Sequence, residues 1–109
     1  MALSGYRVMW MLVMFDLPVG DKKQRHAATK FRNFLLDQGF QMAQFSVYMR
    51  FCAGKEQVES YARAIQANLP PSGFVDILSF TDRQYRNMMH FTGRDGPQQR
   101  ESPEQYVMF

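Results

Sequence analysis

The sequence predicts an α+β domain of the ferredoxin-like type, βαββαβ, with a four-stranded antiparallel sheet and both helices on one face. Three observations carry that prediction. An unbroken apolar run, Met9 to Phe15, precedes an amphipathic helix; two short alternating segments precede a second such helix; and one more strand closes the order. The connections between them are short, so no long loop is left over.

The first strand is expected over Arg7 to Phe15, a run rich in Val and aromatics and too short for a typical helix. Its apolar residues do not alternate, so both of its faces should be covered. Asp21 to Gln38 reads as the first helix: Asp21 and Gln24 have the spacing of a capping box, and Gly39 suits the position just past the end. Ala27, Ala28, Phe31, Phe34 and Leu35 form its apolar stripe. Gly39 to Phe51 holds two short strands. Phe40 and Met42 share one side of the first, and Phe45, Val47, Met49 and Phe51 one side of the second.

The second helix runs from Gly54 to Leu69, with Val58, Tyr61, Ala62, Ile65 and Leu69 inward and Pro70–Pro71 as its stop. Glu59 and Arg63 have the spacing of an outward ion pair. Gly73 to Phe80 is the fourth strand. Thr81 and Gln84 then suggest a short capped helix in TDRQYRNMM, with a strand as the alternative. Residues 1–92 are expected to form the domain. Residues 93–109 are expected to form a polar Gly- and Pro-bearing linker ending in the strand-like Tyr106, Val107, Met108 and Phe109.

Net charge is +3, but it is uneven: residues 1–55 carry eight Lys/Arg against three Asp/Glu, and residues 56–109 five against seven. A basic half suits a polyanionic partner or a solvated face. The single cysteine, Cys52, cannot make an internal disulfide and fits a core position in a reducing cytoplasm. The apolar run is too short to span a bilayer, and no secretory signal is read, so a cytoplasmic protein with no membrane partner is expected.

In this fold the helices cover one side of the sheet, and an apolar opposite side is not normally left in water. A second copy packed face to face about a two-fold axis is the expected cover. The terminal strand could pair within its own chain or add to the partner's sheet edge.

Asp16 ends the apolar run two residues before Pro18. From local sequence it is first a turn residue whose oxygen binds backbone amides. A two-fold axis would bring two copies of it to one place, where a shared Mg²⁺ could be held with waters and phosphate oxygens. On the first helix, Lys22, Arg25, Thr29 and Arg32 lie on one stripe, with Lys23, His26, Lys30 and Asn33 beside it. That surface suits a phosphate backbone rather than base reading, or simply keeps the helix solvated. His26 and His90 lack partners at metal-ligand spacing, and no Gly-rich phosphate loop is present.

MLVMFDLP followed by a basic helix, then KFRNFLLDQGFQMAQFSVYMR and TDRQYRNM, resemble the CRISPR-associated protein two family, most closely its type II form, over about residues 6–91. The resemblance implies a ferredoxin-like homodimer with Asp16 as the strand-end aspartate assigned to Mg²⁺ binding across the dimer. It implies an architectural role in spacer acquisition: a dimer that binds double-stranded DNA and bridges two dimers of the integrase, CRISPR-associated protein one. It also implies an alternative, a metal-dependent endonuclease acting on RNA or double-stranded DNA with Asp16 as its catalytic carboxylate. The family's arginine-rich start of the first helix is replaced in part by DKKQR, in which Arg25 is the arginine. The scaffold is the favoured reading. It assigns duplex contact to Lys22, Lys23, Arg25, Lys30 and Arg32, and dimer contact to the tail, Tyr106 to Phe109.

Overall fold

The computed structural model describes residues 8–95. β1 (Met9–Asp16), α1 (Lys22–Asp37), β2 (Gln41–Gln44), β3 (Val47–Cys52), α2 (Lys55–Gln66), β4 (Phe74–Thr81) and the short α3 (Asp82–Arg86) follow in the expected order. The strands form one antiparallel sheet in the order β2-β3-β1-β4. β1 is therefore central, flanked by β3 and β4.

Local chemistry sets the helix ends. The Asp21 carboxylate accepts the Gln24 amide at 2.7 Å, and the Gln24 side chain accepts in return from the Asp21 amide, closing a capping box. Thr81 and Gln84 close a second box at α3, which settles that segment as a helix. Gly39 takes φ +87 where α1 ends. A β-carbon there would also stand 2.8 Å from the Arg50 guanidinium. That guanidinium donates to the Gln38 carbonyl and lies 4.0 Å over the Tyr61 ring centroid. A cation from β3 thus caps a helix that has no basic residue in its last turn.

The two faces of β1 have different fates. Met11, Val13 and Phe15 are buried against both helices, meeting Phe31 and Leu35 of α1 and Val58 and Ile65 of α2. Phe15 packs edge-on to Phe31 at 5.3 Å and near-parallel to Tyr48 at 5.6 Å. Each such burial stabilises by about 1.5–3 kcal/mol. Tyr48 and Cys52 face this core from β3, so its apolar Val47, Met49 and Phe51 stand on the opposite, open face.

Leu69 departs from expectation. α2 ends at Gln66, and Leu69 lies past the helix with half its surface exposed, because Ala67 and Asn68 already turn the chain away from the core. The ion pair formed among the described residues is Arg86–Asp82 at 2.8 Å, not Glu59–Arg63. The expected Tyr106–Phe109 strand lies outside the described residues.

Candidate functional site

The open face of the sheet is where Asp16 stands. Pairing of β1 with β3 and β4 puts Trp10, Leu12, Met14 and Asp16 on one side, with Phe51 from β3 and Phe74, Asp76, Leu78 and Phe80 from β4. Met14 is 36%, Leu78 52% and Phe74 74% exposed. Large apolar side chains in a contiguous exposed set mark a contact surface.

One end of that face is already covered. Tyr85 of α3 stacks on Trp10 with ring centroids 4.4 Å apart and planes 22° from parallel. Trp10 also meets Phe51 edge-on at 5.7 Å. Its indole N–H donates to Asp82 at 3.1 Å, and Asp82 holds Arg86 by its other oxygen. This aromatic cap closes the face at the start of β1 and leaves it open toward Asp16. Sequence reading found α3 but not its role as a cover, because its amphipathic pattern is only five residues long.

Asp16 is exposed, and its carboxylate has no hydrogen bond from the protein among the described residues. The turn role expected from the local sequence is therefore not the one it plays: the bend after it is built without its side chain. The reason is register, since position 16 continues the even-numbered, open side of β1. Asp76, which sequence reading did not single out, stands on the same face, paired with Met14 and so two positions along from Asp16's own partner, Phe74. The alternation of GFVDILSF was the signal that could have found it.

Among the described residues no group of three or more His, Cys, Asp or Glu side chains gathers to hold a metal. At this strand end one chain presents the Asp16 carboxylate, with Asp76 on the same face of the neighbouring strand. That suits Mg²⁺, which takes few protein ligands, only where a second copy or a phosphate completes the shell.

The basic helix divides in two. Lys22 and Arg25 are exposed on one stripe, and Arg25 reaches back toward the Val19 carbonyl at 3.4 Å. Arg32, on the same stripe, is half-buried. It donates to Thr29 Oγ1 at 3.0 Å while its Nε is buried without a partner. Lys23, His26 and Lys30 instead line a groove between α1 and the segment that joins α2 to β4. Of the other cations, Arg50 is held at the end of α1 and Arg86 by Asp82. His26 and His90 are exposed.

A ferredoxin-like sheet with a bare apolar face, a carboxylate at the end of its first strand and a basic first helix defines a class of small, single-sheet α+β domains. Within that class the comparisons are specific. The family model described as CRISPR associated protein Cas2 matches residues 9–88, and the chain belongs to that family. A relative from Paracidovorax avenae, named CRISPR-associated endoribonuclease Cas2, is 52% identical over 107 residues, covering 98% of this chain and 99% of its own. One of the same name from Flavobacterium psychrophilum is 43% identical over 105 residues, covering 96% and 90%. A solved structure titled "Crystal structure of cas2" superposes with a TM-score of 0.57 at 19% identity, over 87% of this chain and 99% of that one, and so supports the fold.

Proposed function

We propose that this CRISPR-associated protein acts as a homodimeric scaffold in spacer acquisition, binding double-stranded DNA and bridging integrase dimers. The open sheet face carries the reading: exposed Met14, Phe74 and Leu78 are a surface that a second copy can bury. Covering several such side chains is worth about 1.5–3 kcal/mol each. β4 is an edge strand, paired among the described residues with β1 alone, so its free backbone groups can accept the Tyr106–Phe109 tail of a partner. Lys22 and Arg25 supply exposed phosphate contacts at the start of α1.

The test uses the full chain. Sedimentation should give a dimer for the unaltered protein and a monomer for Met14→Asp/Leu78→Asp. That variant should also lose duplex binding and assembly with the integrase. A monomer that still binds duplex and integrase as well as the parent would sink the scaffold.

A second reading rests on the free carboxylate of Asp16 and on the endoribonuclease name of the relatives. Two Asp16 side chains brought together by the same packing would hold Mg²⁺, which when bound polarises a phosphodiester and activates water. Asp16 in that reading is a ligand, and the open face positions it. Mg²⁺-dependent cleavage of RNA or duplex DNA by the pure dimer, abolished in Asp16→Ala, supports the nuclease. Cleavage unchanged in Asp16→Ala rules out Asp16 as its centre.

A further inference from the structure

The groove beside α1 is a second surface, distinct from the open face. It has a volume of about 640 Å³ and lies between α1 and the segment that follows α2. Lys23, Ala27, Lys30 and Phe34 follow one another on a single stripe of the α1 side. Lys23 and Lys30 are about 10 Å apart along the helix axis, with the short side chain of Ala27 between them. Phe34 comes about 6 Å beyond Lys30. Its ring stacks on that of buried Phe31 at 6.4 Å, and half-exposed Leu69 lines the groove from the segment after α2. His26 stands beside the two lysines. None of these three bases forms an ion pair among the described residues, and the acid in the lining, Asp21, is engaged as the cap of α1. The groove therefore joins a row of uncompensated positive charge to an apolar bed.

Size and chemistry narrow the occupant. A duplex backbone could reach the lysines but would leave the apolar bed wet. A single strand is held by successive aromatic platforms, one per base, whereas Phe34 is the one partly exposed ring in this lining. A protein partner covers about 20–30 residues a side, while this lining is confined to the stretches 17–34 and 67–72. The volume instead falls in the small-molecule range of about 300–1,000 Å³. A small molecule with several negative charges at one end and one flat apolar ring at the other meets both parts of the groove.

We propose that this groove binds a free nucleoside polyphosphate, its phosphates along Lys23, His26 and Lys30 and its base on Phe34 and Leu69. Ala27 leaves room for the phosphate chain to pass between the lysines. The site is separate from the open face and from Lys22 and Arg25, and it stands whether the scaffold or the nuclease reading holds.

The full chain is titrated calorimetrically with ATP, without added divalent cation so that Asp16 takes no part. ATP should bind at least about tenfold more tightly than inorganic triphosphate or adenosine, since each of these meets one half of the groove. Lys23→Ala/Lys30→Ala and Ala27→Glu should each weaken ATP binding at least about tenfold, the first by removing charge-assisted contacts and the second by placing a carboxylate between the lysines. Lys55→Ala, at an exposed lysine outside the groove, should bind as the parent does. Triphosphate or adenosine alone binding as tightly as ATP, or an equal loss in Lys55→Ala, overturns the proposal, as does a parent that binds no ATP. An Ala27→Glu variant that loses affinity for a deoxythymidylate oligomer and keeps it for ATP would make a strand the occupant. Displacement of ATP by polyglutamate at equal carboxylate concentration would make it an acidic protein segment; either also overturns the proposal. Should Ala27→Glu lose its thermal transition, Lys23→Ala/Lys30→Ala decides alone, because both lysines are exposed.

Discussion

Gly73 lies against the backbone of Asp16: a β-carbon at Gly73 would stand 2.6 Å from the Asp16 carbonyl oxygen, and its φ is +99. The strand end that presents the Asp16 carboxylate is thus formed by a close approach that only glycine permits. Gly73→Ala is expected to cost about 1–3 kcal/mol. The urea midpoint should fall while the slope stays constant. An unchanged midpoint would show that the β4 entry relaxes freely.

Arg50 joins β3 to the end of α1. Arg50→Met leaves the Gln38 carbonyl without its charged donor and strips the cation from Tyr61. The expected loss is about 1–3 kcal/mol, read from chemical denaturation. Arg50→Lys should recover only part of it, because an ammonium cannot stack on the ring and donate in two directions as the planar fork does. Full recovery by lysine would assign the effect to charge alone.

Trp10 is the sole tryptophan, so its emission reports the aromatic cap directly. Tyr85→Ala removes the ring stacked on it, and Asp82→Ala removes the acceptor of its indole N–H. Both should shift its fluorescence to longer wavelength as water reaches the ring. Asp82→Ala should also lower stability by about 1–2 kcal/mol. Identical spectra in parent and both variants would mean that α3 does not cover Trp10 in solution.

Burial pushes the Cys52 thiol up, against a smaller opposing effect of Arg50, and pushes the Tyr48 phenol up against Arg32. In the unfolded chain these groups ionise near their ordinary values, about 8.5 and about 10. The unfolded state therefore releases protons first as pH rises, and the folded state is disfavoured. Their contribution to stability is complete below about pH 8.5 and is lost progressively above it. Denaturation midpoints should decline from pH 8.5 to 10.5, about that window. Stability that rises across it would contradict the direction of both shifts.

Lys22→Ala/Arg25→Ala should weaken duplex binding and reduce the slope of log affinity against log salt by about 0.9 for each phosphate no longer neutralised. Titrations at several salt concentrations measure it. An unchanged slope would remove this stripe from the duplex interface.

The sequence by itself determined the order of the elements, both capping boxes and the apolar stripe of α1. Asp21 with Gln24, and Thr81 with Gln84, act across three residues, so spacing alone reveals them. Strand pairing was needed for everything that depends on a face. It turned Val47, Met49 and Phe51 outward, set Asp76 beside the Asp16 end of the sheet, and placed Asp16 on the open face, where its local sequence had suggested a turn role. Packing between distant elements drew Arg50 to the end of α1 and Tyr85 over Trp10. It also separated Lys23 and Lys30 from Lys22 and Arg25 by shaping a groove on one flank of their helix. Periodicity states which residues share a side; only the chain folding back on itself decides what that side meets.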